Sequence, residues 1–448
     1  MADSLASLVR KGTIETFLQV AATTGVRFAL ILSLFVLSLF VSIEEIAKYD
    51  LFIVASSMLL IALTIGLDSG LAIAASAKAS KQATYLWLSL AGVLLIGVVL
   101  YWPLVLALRV IGIGEVFDVV TFNLAYGYAA VNGIMVLIFS FYRWLGRAFV
   151  ASALIVTGQA FGFLAAFILF SLEQTVEVFI KGLFAGATLG AILCLVYIFK
   201  TIPPPPTLLK WRFAKRAFMQ LFRVAAPFGF ASGALIGRRA VDRAIIIAIG
   251  SPTLLGGYAL VSRAGELLAF LFALPALGFA PILVRDYLDE TVRKLARLLY
   301  GGYILASVLT TLAATLVWAL FGSVIFPEGT HEVAPLFAAL IVANLFFTET
   351  TLAGFGFVIV KRTQIVAILS LMFIFVNFAV AMPLVFLGLG VSSVAIGFLA
   401  ASFVHSSLFV WLSERQINFG YPLKSIIAAK LFMGFIALAA LFGPVEFL

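Results

Sequence analysis

The sequence predicts an all-α polytopic membrane protein of about twelve transmembrane helices, arranged as two six-helix lobes. The chain of 448 residues is 64% hydrophobic and 11% charged, with mean hydropathy +1.20, a balance that water-soluble domains do not reach. Apolar runs of about 20 residues, enough to cross ~30 Å of hydrocarbon as a helix, recur from end to end. Basic residues gather in alternate connecting loops.

Taken in order, the first run spans 14–41 behind Arg10 and Lys11. It is longer than a signal-peptide core and no small-residue cleavage site follows, so it is expected to remain as the first helix. Spans are expected next at 49–77, 83–108, 117–141, 148–171 and 176–199. The stretch KTIPPPPTLLKWRFAKR (200–216) then sets four consecutive prolines between basic residues, which favours an extended, exposed connector. Beyond it lie runs at 222–249, 254–283, 298–322, 333–360, 365–387 and 391–412. A thirteenth run at 425–443 is interrupted by Lys430, and about 13 unbroken apolar residues point to an interfacial or partly inserted helix. The expected organisation is a lobe over 1–200, a connector over 201–216, a second lobe over 217–416 and a short hydrophobic segment over 417–448. Six spans return the chain to its starting side, so the lobes read as parallel repeats.

Orientation follows from charge. With Met1 inside, the inward loops hold 20 of the 29 basic residues, among them Arg143, Arg147, Lys200, Lys210, Arg293 and Arg297. The outward loops hold Lys48, Arg109 and Lys181 against Glu44, Glu45, Asp50, Glu115, Asp118, Glu173, Glu177, Glu328 and Glu332. The positive-inside rule therefore places the amino terminus in the cytoplasm. The net charge of +9 is accounted for by topology, and no nucleic-acid partner is expected. Cys194 is alone and only His331 and His405 are present, so neither a disulfide, a metal site nor a bound cofactor is expected. The longest outward loop, near Phe326–Pro335, is too short to build a catalytic site, and no catalytic residue is assigned.

Charge inside the apolar runs is the chemical signal. The seventh span carries Arg238, Arg239, Asp242 and Arg243, and the eighth carries Arg263 and Glu266. Each ionisable group at bilayer depth costs at least roughly 2.5–3.5 kcal/mol, so such a cluster implies partners, water or a ligand. At about 100° per residue the four groups of the seventh span share an arc of roughly 140°. Asp242 neutralises one arginine at a time and leaves that face positive by two, while Glu266 sits one turn from Arg263. The cluster reads either as ion pairs that lock helices together or as an anion site. Arginine suits phosphate because its planar fork binds two oxygens and stays charged. Arg27, Asp68 and Glu349 are the other buried charges, in the first, second and tenth spans. Asp68 reads equally as a proton or sodium coupling site and as a partner of Arg27 or a cytoplasmic arginine. Glu349 reads as a hydrogen-bonded helix contact or a coupling-ion site. Asn123, Asn132, Asn344 and Asn377 read as interhelical hydrogen bonders or sugar contacts.

Three segments carry a family resemblance: IEEIAKYDLFIVASSMLLIALTIGLDSGLA (43–72), APFGF (226–230) and DRAIIIAIGSPTLLGGYALVSRAGELL (242–268). With Gly66, Leu67, Asp68 and Gly70 in the first and Asp242 and Arg243 in the last, the chain resembles the Wzx-type polysaccharide and O-antigen flippases of the multidrug/oligosaccharidyl-lipid/polysaccharide (MOP) exporter superfamily. The resemblance implies a V-shaped pair of lobes around a central cavity lined by spans one, two, seven and eight. It implies alternating access that carries a polyprenyl-pyrophosphate-linked oligosaccharide to the outer leaflet of the bacterial inner membrane, for O-antigen, exopolysaccharide or capsule. Arg27, Arg238, Arg239, Arg243 and Arg263 would then hold the pyrophosphate, with Asp68, Asp242, Glu266 and Glu349 as counter-charges or proton or sodium coupling sites. The implied partners are the lipid bilayer, the lipid-linked substrate, and the polymerase and chain-length proteins of polysaccharide assembly. Two rivals remain open. A peptidoglycan-precursor flippase shares the head group but typically adds two carboxy-terminal spans, and a multidrug/cation antiporter is expected to offer acidic and aromatic groups.

Overall fold

The computed structural model describes residues 25, 28–71, 79–111, 118–145, 147–250, 252–285, 287–325, 333, 335–360 and 362–442. Those residues form helices and no strand. In order they are α1 (Phe28–Leu37), α2 (Ile43–Thr64), α3 (Leu67–Gly70), α4 (Ala79–Ile111), α5 (Val119–Trp144), α6 (Ala148–Glu173) and α7 (Val176–Thr201). A 3₁₀ turn at Pro206–Leu209 leads to α8 (Trp211–Ile249), α9 (Pro252–Arg285), α10 (Glu290–Ile325), α11 (Leu336–Ala353) and α12 (Phe355–Ile359). The chain ends in α13 (Thr363–Phe386), α14 (Ser392–Ile417) and α15 (Leu423–Phe442). Among the described residues nine of these, α2, α4 to α7, α10 and α13 to α15, are long and apolar enough to cross a membrane.

The expected span at 49–77 needs correction at both ends. The Ser42 hydroxyl accepts the Glu45 amide N–H and two glutamates occupy the first turn, which starts α2 at Ile43. Asp50, read above as a loop acid, therefore lies two turns inside α2 and is fully buried. At the other end Ile65 and Gly66 take left-handed φ values of 45° and 73°, and the helix breaks before α3. A Cβ at Gly66 would stand 2.3 Å from the Ala225 carbonyl oxygen and 2.4 Å from the Gly229 nitrogen. The Gly66 and Gly70 pattern is thus where α8 meets the break backbone to backbone.

Helices α6 and α7 close to the same degree through small residues. Gly182, Gly186 and Gly190 face Ala166, Phe161 with Gly162, and Gly158 across the pair. At α5 the Asp118 carboxylate caps the helix by accepting the Thr121 amide N–H at 2.7 Å. The Thr121 hydroxyl and amide hold that carboxyl below the ordinary range.

Residues 201–216 are only partly a connector. Pro203–Pro205 are non-helical, but α8 begins at Trp211 once the proline run has ended, since WRFAKRAF is built from residues compatible with helix. The run at 425–443 is the larger correction. It is a continuous helix of 20 residues with hydropathy 2.2, and Lys430 is fully buried. The ammonium is neutralised inside the protein, by Glu349 on α11.

The chain divides into two compact units, one within 17–237 and the other within 238–448, with the division inside α8. In the second unit Tyr300, Tyr303, Leu352, Phe357, Leu369, Phe409 and Ile426 form one apolar core, so α15 is part of it.

Candidate functional site

The second unit concentrates the buried charge that the sequence singles out. Arg239 on α8 reaches across to α9, where its Nη2 lies 3.0 Å from Glu266 Oε2. Arg263 Nη1 donates to the same Glu266 oxygen at 2.8 Å, from one turn earlier on α9. One carboxylate oxygen thus bridges two guanidiniums. The Arg239 side chain keeps 27% of its surface exposed, against 3% for Arg263 and 9% for Glu266. Side-chain entropy and solvation rank the three: Arg239 exchanges partners most readily, and Arg263 is a fixed charge.

One turn along α8 the character changes. Asp242 is fully buried and accepts hydrogen bonds from Asn377 Nδ2 on α13 at 3.0 Å and from the Tyr258 hydroxyl on α9 at 3.3 Å. The Arg243 guanidinium lies 5.2 Å from the centre of the Tyr258 ring, a cation–π contact, and is itself buried. Gly397 on α14 makes room for Asn377, because a Cβ there would approach the Asn377 Oδ1 to 2.7 Å. Asp242 and Arg243 therefore knit α8, α9 and α13 together, while Arg239 keeps part of its side chain exposed.

Glu349 lies in a separate group of the same unit. Its Oε2 is 2.7 Å from Lys430 Nζ, and the Tyr300 hydroxyl donates to its Oε1. Both ends of the ion pair are at least 99% buried. Sequence reasoning named Glu349 but missed Lys430 as its partner. The signal was available, because a lone cation in an apolar run obeys the same cost argument as the arginines. Tyr258 carried no such signal.

Asp68 belongs to the first unit, on α3, half-buried and within the electrostatic reach of Arg143 on α5. The Arg143 guanidinium also stands 5.0 Å from the centre of the Trp144 ring. Arg27 and the Arg238 side chain lie outside the described residues. Of the asparagines, Asn123 accepts from Tyr101, Asn132 accepts from Gln159 and Asn377 donates to Asp242, each across helices.

No protein-family model and no curated protein matches the sequence. Solved structures do. The inward-facing conformation of a multidrug resistance MATE family transporter of the MOP superfamily matches with a TM-score of 0.66 at 18% identity, covering 90% of this chain and 99% of that one. A Vibrio cholerae MATE transporter matches at 0.64 and 14% identity, over 94% and 98% of the two chains. An outward-facing MATE transporter matches at 0.62 and 18%, over 92% and 95%. The fold is that of the MATE transporters. At these identities the likeness is one of fold. The MATE fold and nine helices long and apolar enough to cross a membrane, counted among the described residues, are those of a multi-pass membrane protein.

Proposed function

We propose that the chain is an alternating-access flippase, with its amino terminus in the cytoplasm, that moves a polyprenyl-pyrophosphate-linked oligosaccharide across the bacterial inner membrane. The supporting observation is the partly exposed Arg239 sharing a carboxylate with buried Arg263. Counting Arg239, Arg243 and Arg263 against Asp242 and Glu266 gives three positive charges to two negative, so the described cluster is net positive. An arriving pyrophosphate competes with Glu266 for Arg239 and adds a second acceptor near Arg263. Glu266 then reclaims the guanidinium, which keeps binding transient. Such exchange of one oxyanion for another costs little, because the arginine fork stays satisfied throughout.

A multidrug antiporter is the second reading, favoured because two of the matching structures are described as multidrug resistance MATE family transporters. A cationic drug needs a carboxylate to meet it. Here Glu266 is held by two arginines, and Asp242 by Asn377 and Tyr258. Mass spectrometry of lipid that co-purifies with the protein separates the two. A polyprenyl pyrophosphate bearing sugars is the expected finding. Its absence, together with raised resistance to cationic drugs in cells that overproduce the protein, would favour the antiporter.

A further inference from the structure

The first turns of α8 carry charge that the transport chemistry described above does not use. Along them Ala214, Ala217 and Leu221 are buried, and Ala225 continues the stripe one turn on. These positions recur at three- and four-residue steps, so at about 100° per residue they lie on one face. That face is held from α4. Tyr85 donates to Gln220 Oε1 at 3.2 Å, and the Phe218 ring lies 3.3 Å from where a Cβ on Gly92 would stand. Just upstream, Trp87 Nε1 donates to the Ile202 carbonyl oxygen at 2.9 Å, which ties the residue before the proline run to the same helix. The base of α8 is therefore fixed in direction.

Arg212, Lys215, Arg216 and Arg223 project from the other side. By the same count they share an arc of roughly 100°, opposite the buried stripe. All four are exposed, and among the described residues none of them enters an ion pair. Their own stretch of chain cannot supply one, since no Asp or Glu occurs between Glu177 and Asp242. Trp211, 75% exposed, and Met219, 45% exposed, are interleaved with them. Length sets their depth. Helix α8 has 39 residues, about 58 Å at 1.5 Å per residue, whereas about 30 Å crosses hydrocarbon. Its apolar run begins at residue 222, so the cations occupy the excess and stand at the level of the lipid head groups.

We propose that this face of α8 is a binding surface for anionic phospholipid of the surrounding bilayer. Arg212 and Arg216, one turn apart, hold a head-group phosphate between them, and Lys215 and Arg223 extend the surface to neighbouring lipids. An indole and a thioether set among the cations suit a lipid surface, which offers apolar contact beside each phosphate. An acidic protein is the competing occupant. Arg223 stands where the apolar run begins, a depth that a lipid phosphate reaches and a folded protein does not. Without counter-anions the four charges repel along one edge of the helix, so bound lipid also steadies the base of α8 against α4. In the orientation proposed above the surface meets the inner leaflet. The binding itself rests neither on that orientation nor on the transported substrate.

The full-length protein in neutral detergent micelles is titrated with phosphatidylglycerol or phosphatidylcholine. Native mass spectrometry reads the lipid retained, and a heating series reads protection. The wild type should retain phosphatidylglycerol in preference to phosphatidylcholine and be protected by it. About fivefold is expected per cation, so Arg212→Gln/Arg216→Gln/Arg223→Gln should bind phosphatidylglycerol roughly a hundredfold more weakly and lose the protection. The same three positions changed to lysine should keep most of both. Lys294→Gln/Arg415→Gln/Lys424→Gln, which removes three exposed cations from other helices, should behave as the wild type. The single change Arg216→Gln, with an expected loss of about fivefold, decides the matter if the triple glutamine variant folds poorly. Undiminished retention by the α8 variants overturns the proposal, and so does an equal loss in the variant of the other helices, which would reduce the effect to general charge. Protection by glycerol phosphate as strong as by phosphatidylglycerol also overturns it, because a soluble anion would then be the occupant.

Discussion

Replacing Gly186 with leucine will prevent the protein from accumulating in a folded state. A Cβ at that position would lie 2.1 Å from the Phe161 carbonyl oxygen, 2.6 Å from its carbon and 2.7 Å from Gly162 Cα. All three are backbone atoms of α6, so no rotamer change relieves the overlap. The helices must separate, and the neighbouring approaches of Gly182 to Ala166 and of Gly190 to Gly158 are lost with it. Overpacking where side chains can yield costs about 1–3 kcal/mol, and a backbone clash over a whole helix pair exceeds that. Gly434 on α15 is the control, since nothing lies within 4 Å of a Cβ there. Gly434→Ala should leave thermal stability unchanged or raise it by about 0.5–1 kcal/mol. Fluorescence-detected size exclusion after a heating series measures both. Equal stability of the two variants would contradict the close packing of α6 on α7.

Replacing Glu266 with alanine will be nearly as damaging, for an electrostatic reason. Its Oε2 is shared by Arg239 at 3.0 Å and Arg263 at 2.8 Å. Without it the two guanidiniums repel across a short gap, and Arg263 is only 3% exposed. Removing one partner of a buried pair costs about 3–5 kcal/mol, and the lower end applies here because Arg239 is partly solvated. Glu266→Gln retains an oxygen for one arginine and should fold. In that variant the competing charge is gone, so head-group affinity should rise while turnover falls. Binding of a pyrophosphate-bearing lipid and its flipping rate, measured on the same preparation, check the pair of effects. A fall in affinity would show that Glu266 itself holds the substrate.

Hydropathy made most of the helices legible. The expected 148–171 and 176–199 are found as Ala148–Glu173 and Val176–Thr201, because lipid-length apolar runs leave the backbone no other way to satisfy its hydrogen bonds. What escaped was tertiary. Asp50 sits in EEIAKYD beside three other charges, which look like a loop until Ser42 is recognised as the cap that starts the helix before them. The break at Ile65 and Gly66 is dictated by the approach of α8, a contact between segments about 160 residues apart, and no local pattern announces it. Lys430 was visible as a charge, but its partner on α11 was not, because pairing across helices is set by packing.

The same limit applied to the arginine face. Periodicity placed Arg239, Asp242 and Arg243 on one arc, yet it did not separate their tasks. The separation depends on what each meets: Glu266 for Arg239, the Tyr258 ring for Arg243, and Asn377 for Asp242. Spacing gives direction, and only packing gives partners.

Arg239 is where the account is most exposed to test. Its replacement by alanine removes a charge-assisted contact of about 1.5–3 kcal/mol, a loss of roughly tenfold to a hundredfold in head-group affinity. Lysine keeps the charge without the fork and should restore only part of it. The direct measurement is surface polysaccharide set against membrane abundance in cells whose only copy is the variant. The account predicts Arg239→Ala protein that is abundant and thermally sound while polymer at the surface is nearly absent. Normal polymer from that variant, or a loss of polymer explained entirely by a loss of protein, would contradict it.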